Sequence, residues 1–452
     1  LTINNNEWTL RPGAQRRRTA GYTARTGEGR LRPRAASWTA GAGVFLFALV
    51  GASAPNPNTL RAPITWLRLP AMPGTVSEAA MAAAVVLSCG GTLALLHAHG
   101  RGWSPDPRTL FRAGALAVLL FANLTPVGSS DTASYAAYGR IAALGGDPYV
   151  TTPAQLGGAY AHLVGDAWRN SPSVYGPVAT WWQAAAACVG GNQPWLTIWV
   201  LMLANAAAFL GVGLLLMRTA EDPVRAALLW SANPLLIGVL VGGGHLDTVV
   251  AVLAVCVVHL ARGTGGRRRD LTIGGLVGLA CGIKVSAALL GAGVIWLLLR
   301  RGAWRRAADV VGTATLTTAV LYGMYGLHAL DPLSKASHMV SMPSLWGVFE
   351  HYATAAVGPG AATASISVLW PVLMLALALV LHRHVPAGAP VVVTVPFVLS
   401  FAWIIAAPWS MPWYAALACA LAALFCPVRL SQLLIVATAG LALFHTSGGH
   451  GW

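Results

Sequence analysis

Apolar runs broken by short clusters of Arg, Gly and Pro recur along almost the whole chain. They cover 38–54, 76–98, 110–128, 195–217, 226–242, 248–261, 271–283, 285–299, 308–327, 365–382, 390–407, 413–427 and 430–446. The runs are continuous rather than alternating, which predicts helices and not the dyad pattern of a membrane β-barrel. A hydrocarbon core ~30 Å thick takes about 20 helical residues to cross, so the shorter runs need tilt or pairing. The pattern therefore predicts an all-α polytopic membrane protein of about 13 transmembrane helices. Residues 129–194 depart from it, as a long polar stretch rich in aromatic side chains.

Composition agrees with this class. Of 452 residues, 56% are hydrophobic and only 10% charged, against about 25% charged in soluble domains. The net charge of +15 has a topological origin rather than a nucleic-acid one. With the N-terminus inside, 23 of the 29 Lys and Arg residues fall on the cytoplasmic side, leaving Arg61, Arg68, Arg140, Arg169, Lys284 and Lys335 outside. The same rule treats two ambiguous segments. Residues 174–190 become a helix lying in the outer interface, since counting them as a crossing would invert everything that follows. Residues 271–299 have Arg-rich flanks at both ends, so they go out and return as two short helices with Lys284 at the outward turn. The Arg-rich residues 1–36 are expected to be a disordered cytoplasmic tail, with no cleavable signal peptide, and 447–452 an outer tail. The six cysteines all lie in apolar segments and suit helix packing, not disulfides or metal.

Candidate chemistry gathers on the outer side, where Glu78, Asp131, Asp147, Asp166, Asp247, Asp331 and Glu350 fall. Two loops are expected there, 129–194 and 328–364. In the first, Tyr135, Tyr138, Ile141 and Ala142 form one side of an amphipathic helix. A second such stretch carries Leu156, Tyr160, Leu163, Val164 and Trp168, and both are expected to lie flat on the membrane. Asp131 reads either as a general base at the membrane boundary or as a helix N-cap, and the two roles are compatible. Lys284 stands alone among apolar residues, where a cation costs roughly 2.5–3.5 kcal/mol at a helix centre. At an outward turn its ammonium would be free to meet an anion; the alternative is snorkelling to headgroups. Gly242-Gly243-Gly244-His245-Leu246-Asp247 joins two runs, either as a glycine loop admitting substrate to backbone N–H groups or as a tight turn. Asn233-Pro234 predicts a kink in which Asn233 satisfies freed backbone groups. One base, one cation and backbone donors suit transfer of a group from a lipid phosphate to a hydroxyl, whereas glycoside hydrolysis would ask for two flanking carboxylates.

These motifs occur in a recognisable order. Gly128-Ser129-Ser130-Asp131, Ser134 to Arg140 with Tyr135 and Tyr138, Asp147-Pro148-Tyr149, Tyr175-Gly176-Pro177, Asn233-Pro234, Gly243 to Asp247, and Pro408-Trp409 with Pro412-Trp413-Tyr414 all contribute. Together, over about residues 110–430, the chain resembles the actinobacterial polyprenol-phosphomannose-dependent alpha-(1→6)-mannosyltransferases of the GT-C superfamily. The resemblance implies an inverting transferase that takes a beta-linked polyprenyl-phosphate sugar and acts outside the plasma membrane. It implies Asp131 as catalytic base, with Lys284, His245 and Arg140 at the donor phosphate. Tyr135, Tyr138, Asp147, Tyr149, Tyr175, Asp247, Trp409, Trp413 and Tyr414 are then substrate-binding candidates. No metal or other cofactor is expected. The expected partners are a polyprenyl-phosphate-sugar donor, a glycan or glycolipid acceptor and the bilayer, with no nucleic acid. Residues 37–109 form two helices ahead of a catalytic domain over 110–446. The alternatives are another polyprenyl-phosphate sugar, arabinofuranose or glucose, or a lipid-linked-sugar transporter. No internal repeat of the transporter kind is evident.

Overall fold

The computed structural model describes residues 33–53, 68–263, 265–341, 344–425 and 427–447. The expected basic tail, apart from 33–36, lies outside the described residues, as do Arg61 and the C-terminal tail beyond 447. Among the described residues every regular element is helical.

Two antiparallel helices open the chain, α1 (Pro33–Ser53) and α2 (Gly74–Gly100). Small residues let their backbones approach closely: a Cβ on Gly91 would stand 2.6 Å from the Ala40 nitrogen. The pair joins the bundle through Phe47, edge-on to Phe121, and through the 2.7 Å contact of His99 with Asp222. α3 (Pro107–Phe121) starts at an Asp106 cap and stops short of the expected 128. The chain beyond it runs irregularly, and Val127 donates to the Gly242 carbonyl at 2.9 Å.

α4 (Asp131–Ala143), α5 (Pro153–Leu156), α6 (Gly158–Leu163), α7 (Asp166–Arg169) and α8 (Pro177–Gly190) build the first large loop. It differs from two flat amphipathic helices. Residues 132–139 of α4 are all buried, because α8 packs across them, with room for no more than Gly139 against the Gln183 carbonyl. The second expected helix is three short ones, interrupted at Gly157 and Gly158, which both take positive φ. Its apolar side chains still meet in one cluster with Tyr135, Leu201, Leu246 and Ile283.

α9 (Pro194–Thr219) is long and regular. α10 (Pro223–Leu229) and α11 (Pro234–Leu236) run on through a π-helical turn at Ile237–Gly242 as one broken, largely buried passage. Asn233 makes the break tolerable as expected: its Oδ1 accepts from the N–H groups of Leu235 (3.1 Å) and Leu236 (3.4 Å), and its amide donates to the Leu229 carbonyl. α12 (Asp247–Ala261) follows. α13 (Arg267–Cys281) and α14 (Leu289–Arg300) then form a hairpin. Just past its far end Arg306 grips Asp270 at 2.7 and 2.9 Å, so both legs begin and end together with Lys284 at the opposite tip. α15 (Trp304–Gly323) turns by 106° into the segment that contains α16 (Asp331–Ala336). α17 (Leu345–Val357), α18 (Pro359–His382), α19 (Val391–Ala406), α20 (Ala415–Leu424) and α21 (Val428–Ser447) complete the bundle. The expected polar loop 328–364 is mostly helix, and α17 exposes Leu345, Val348 and Tyr352.

Six described helical passages are long and apolar enough to cross a membrane, or seven with the bent α15–α16 pair; α12, α14, α19 and α20 are apolar but shorter. Arginines collect at one end of the bundle. There buried Arg225 donates to the carbonyls of Ala422 and Phe425 and to Ser431, while Arg262 reaches the carbonyls of Thr219 and Leu424. The hairpin tip and α4 lie at the other end, where the start of α8 is tied to the tip by backbone bonds from Gly176 to the Ile283 carbonyl (3.1 Å) and from Val178 to that of Gly282 (2.8 Å). A Cβ on Gly176 would come within 2.3 Å of the Gly282 oxygen. Gly176→Ala should therefore cost about 1–3 kcal/mol by overpacking, read as a lowered melting temperature in detergent, whereas Gly191→Ala, with open space around it, tests only the strain of a positive φ.

Candidate active site

The site grows from the start of α4. Gly128 turns the chain with φ +74°, and the Asp131 N–H donates to the Ser129 hydroxyl at 3.1 Å. Asp131 occupies the first helical turn and its side chain makes no cap, so the N-cap reading gives way to a carboxylate aimed into the protein. Three neighbours converge on a single oxygen, Oδ2: the hydroxyls of Tyr135 (3.3 Å) and Tyr175 (3.4 Å), and Nδ1 of His245 (3.5 Å). The two tyrosine rings brace each other edge to face at 4.9 Å. Among the described residues, Oδ1 has no hydrogen-bond donor, and the side chain remains 17% exposed. Burial would raise the Asp131 pKa, but the imidazole of His245 and the nearby Lys284 and His445 outweigh it and hold the carboxyl below the ordinary range. Asp131 is thus a carboxylate at neutral pH.

His245 is placed from behind. It is 1% exposed, stacked on Trp413 with ring centroids 3.7 Å apart and planes within 11°. Trp413 in turn meets His445 of α21 edge-on at 5.1 Å. The glycine loop before His245 is entirely buried. Gly244 has φ +68°, and a Cβ there would strike Thr132 of α4 at 2.4 Å. The close approach at Gly244 is to α4, whereas Gly242 packs beside Val127 and Phe121. His245 does not line the cavity, and its Nδ1 stands against Asp131.

Lys284 stands at the hairpin tip, where the helix breaks between Cys281 and Val285. Its Nζ is 3.0 Å from Asp247 Oδ1 and 3.4 Å from the centre of the Tyr414 ring. The ammonium is therefore not free, as the sequence suggested, but neutralised and capped by a cation–π contact. One donor direction remains, and the side chain still lines the cavity. Tyr414 is held flat against Trp403, 5.1 Å away.

Asp131, Tyr175, Lys284, Trp409, Trp413 and Tyr414 share the wall of one cavity of about 2150 Å³, well above the ~300–1,000 Å³ of ordinary ligand pockets. Tyr135, His245 and Asp247 stand directly behind these groups. The remaining candidates lie elsewhere. Arg140, in the last turn of α4, donates to Asn192 at 2.6 Å and does not line the cavity. Tyr138 bonds the Ser171 carbonyl at 2.9 Å, and Tyr149 bonds Thr180 at 3.1 Å. Asp147 meets His328 at 2.6 Å and ties the two outer loops together. Sequence reasoning passed over His445 and Trp168 as site residues; both line the cavity. Trp168 could have been suspected from its place on a polar stretch, but nothing in sequence links His445 to Trp413. Among the described residues, no three His, Cys, Asp or Glu side chains converge as a metal cage would need.

Fold and site together define a helical membrane protein with a half-buried carboxylate in the wall of a large cavity. Residues 36–300 match the model of the alpha-(1→6)-mannopyranosyltransferase N-terminal domain, and the chain belongs to that family. The matched part holds Asp131, His245, Asp247 and Lys284 but neither Trp409 to Tyr414 nor His445. Alpha-(1→6)-mannopyranosyltransferase A of Corynebacterium glutamicum is 27% identical over 194 residues, 42% of this chain and 38% of that protein. Alpha-(1→6)-mannopyranosyltransferase B of the same organism is 30% identical over 217 residues, 43% of this chain and 34% of its own length. A Mycobacterium tuberculosis relative of the same description is 30% identical over 146 residues, 30% of this chain and 24% of its own. The matched segments thus span well under half of these relatives. No solved structure matches.

The Lys284–Asp247 pair carries its own test. Lys284→Met strands a carboxylate that is 11% exposed, and should cost roughly 3–5 kcal/mol. The double variant Lys284→Met/Asp247→Leu should recover much of that loss, measured as melting temperatures around a double-mutant cycle.

Proposed function

We propose that the chain is a membrane glycosyltransferase that moves a mannosyl residue from polyprenyl-phosphate-mannose to a hydroxyl of a cell-envelope glycan or glycolipid, forming an alpha-(1→6) bond with inversion. The observation that carries this reading is the asymmetry of the Asp131 carboxylate. One oxygen is met by three neighbours, the other has no hydrogen-bond donor among the described residues, and Asp131 and Lys284 line the same cavity. In the reaction Oδ1 takes the proton of the acceptor hydroxyl as its oxygen attacks the anomeric carbon. The bond from that carbon to the phosphate oxygen breaks, and the electron pair leaves with the polyprenyl phosphate. A phosphate needs no proton to depart, so one base suffices, and the charge it carries away is met by the open side of Lys284. A single displacement on a beta-linked donor gives an alpha product.

A lipid-borne donor suits the cavity wall. Leu345, Phe349, Leu369, Val372, Ile405 and Phe444 line it and are also exposed on the protein surface. In a membrane such a surface faces acyl chains, so a prenyl tail could enter from the side while its phosphate reaches Lys284. The family match supports mannose as the sugar. By the positive-inside rule the arginine end is cytoplasmic and the cavity end outside, in a multi-pass plasma-membrane protein. We read the bundle as GT-C type with about 13 crossings, the six or seven long passages being joined by the shorter α3, α12, α13, α14, α19 and α20.

Transfer of radiolabelled mannose from polyprenyl-phosphate-mannose into membrane glycolipid should fall at least ~100-fold in Asp131→Asn, with the protein still inserted. Undiminished transfer would remove Asp131 as the base. His245→Phe should keep the stack on Trp413 while deleting the partner of Oδ2. Because His245 lowers the Asp131 pKa, its loss raises that pKa, so the acidic limb of the kcat/KM–pH profile should move to higher pH.

A further inference from the structure

Trp168 and Trp409 meet in the cavity wall with ring centroids 6.4 Å apart and planes at 80°. They are 241 positions apart in the chain. Trp168 sits on α7, in the first outer loop; Trp409 precedes the short turn that carries Trp413 and Tyr414. Each is half-buried, so each keeps ring surface that no protein group covers. Two indole planes near a right angle form a corner, not a stack.

Both backbones under this corner are fixed. The Arg169 guanidinium donates to the Val164 carbonyl at 3.1 and 3.3 Å and pairs with Asp166 at 2.9 Å, which closes the α7 turn. Gly165, which leads into α7, packs beside the Ser130 hydroxyl, one residue before Asp131. Trp409 is held by its neighbours: Ser341 donates to the Pro408 carbonyl at 2.9 Å, and Ser410 donates to the Ser341 hydroxyl at 3.2 Å. Rings held in advance lose little freedom on binding.

The surroundings distinguish this corner from the lipid-facing wall. Next to Trp168 the cavity is lined by Asp166 and Ala167, and across the second loop by Ser334 and Ser337, all exposed. This part of the wall mixes polar groups with apolar ones such as Leu163, Leu330 and Leu333, whereas the wall made by α17 and α18 is apolar and open to the side. A pyranose ring has an apolar C–H face and a hydroxyl edge, and an indole face beside polar groups matches both.

We infer that the Trp168–Trp409 corner is the acceptor subsite, where a mannoside ring of the acceptor stacks so that its hydroxyl meets Oδ1 of Asp131. The inference rests on the transferase reading and adds to it which part of the cavity each substrate takes. Trp168 is a specificity residue that the donor does not touch.

Purified full-length protein is assayed with polyprenyl-phosphate-mannose and an octyl alpha-mannoside acceptor, for wild type, Trp168→Ala, Trp168→Phe and Trp409→Ala. Loss of a ring face should raise the acceptor KM roughly tenfold, leave the donor KM unchanged and be largely rescued by Trp168→Phe. A rise in the donor KM instead would assign the corner to the donor, and unchanged KM values in stably folded variants would make it mere packing; either overturns the inference. If wild type transfers no mannose, the transferase reading fails by itself. Calorimetric titration of the octyl mannoside then decides the subsite: binding to wild type but not to Trp168→Ala upholds it, and equal or absent binding in both overturns it.

Discussion

A carboxylate taken out of water must be met by donors or it will not stay ionised. In this protein that requirement organises the end of the bundle away from the arginines. Asp131 Oδ2 needs Tyr135, which sets the phase of α4. It needs Tyr175, which draws the loop before α8 onto the hairpin tip. It needs His245, which the glycine loop delivers from behind α4. His245 in turn is fixed by Trp413, and Trp413 by α21. Five separate parts of the chain thus depend on one oxygen atom, and the other oxygen of this cavity-lining group has no donor among the described residues.

The second buried charge obeys the same rule with a different outcome. Lys284 breaks a helix at the point where it would have to stand among apolar groups, and the break lets Asp247 and the Tyr414 ring reach it. The two charged groups of the site thus have different direct partners, two hydroxyls and an imidazole for Asp131 and a carboxylate and an aromatic face for Lys284. In the reaction proposed above, a charge balanced in advance would respond to the departing phosphate through its remaining donor direction and not through net attraction. That favours discrimination of geometry over tight ground-state binding.

The small residues do structural service. Gly139, Gly176, Gly244 and Gly282 each allow a contact that a side chain would forbid, and together they press α4, α8, the glycine loop and the hairpin tip into one body. In a membrane, where apolar surface gains little by leaving lipid, close backbone packing of this kind replaces the hydrophobic drive of a soluble core.

Much of this was legible in the sequence. Apolar runs located the helices, since a bilayer selects for length and hydropathy directly. Arg-rich flanks folded 271–299 into a hairpin with Lys284 at its tip, because a cation's position relative to a membrane is governed by the cost of crossing it. Asn233-Pro234 announced its own repair, a purely local matter. The polar stretch after Asp131 supplied part of the cavity wall, including Trp168 and Tyr175. Tertiary structure alone decided the rest. That α4 is buried, that Lys284 is already paired, that His245 serves Asp131 and that Arg140 and Asp147 lie elsewhere all depend on which distant segments come to rest against them. The pairs among them run from 37 positions apart, Lys284 with Asp247, to 181, Asp147 with His328, and no periodicity or charge count encodes them. They are fixed when the whole chain packs and each buried charge must find its partner.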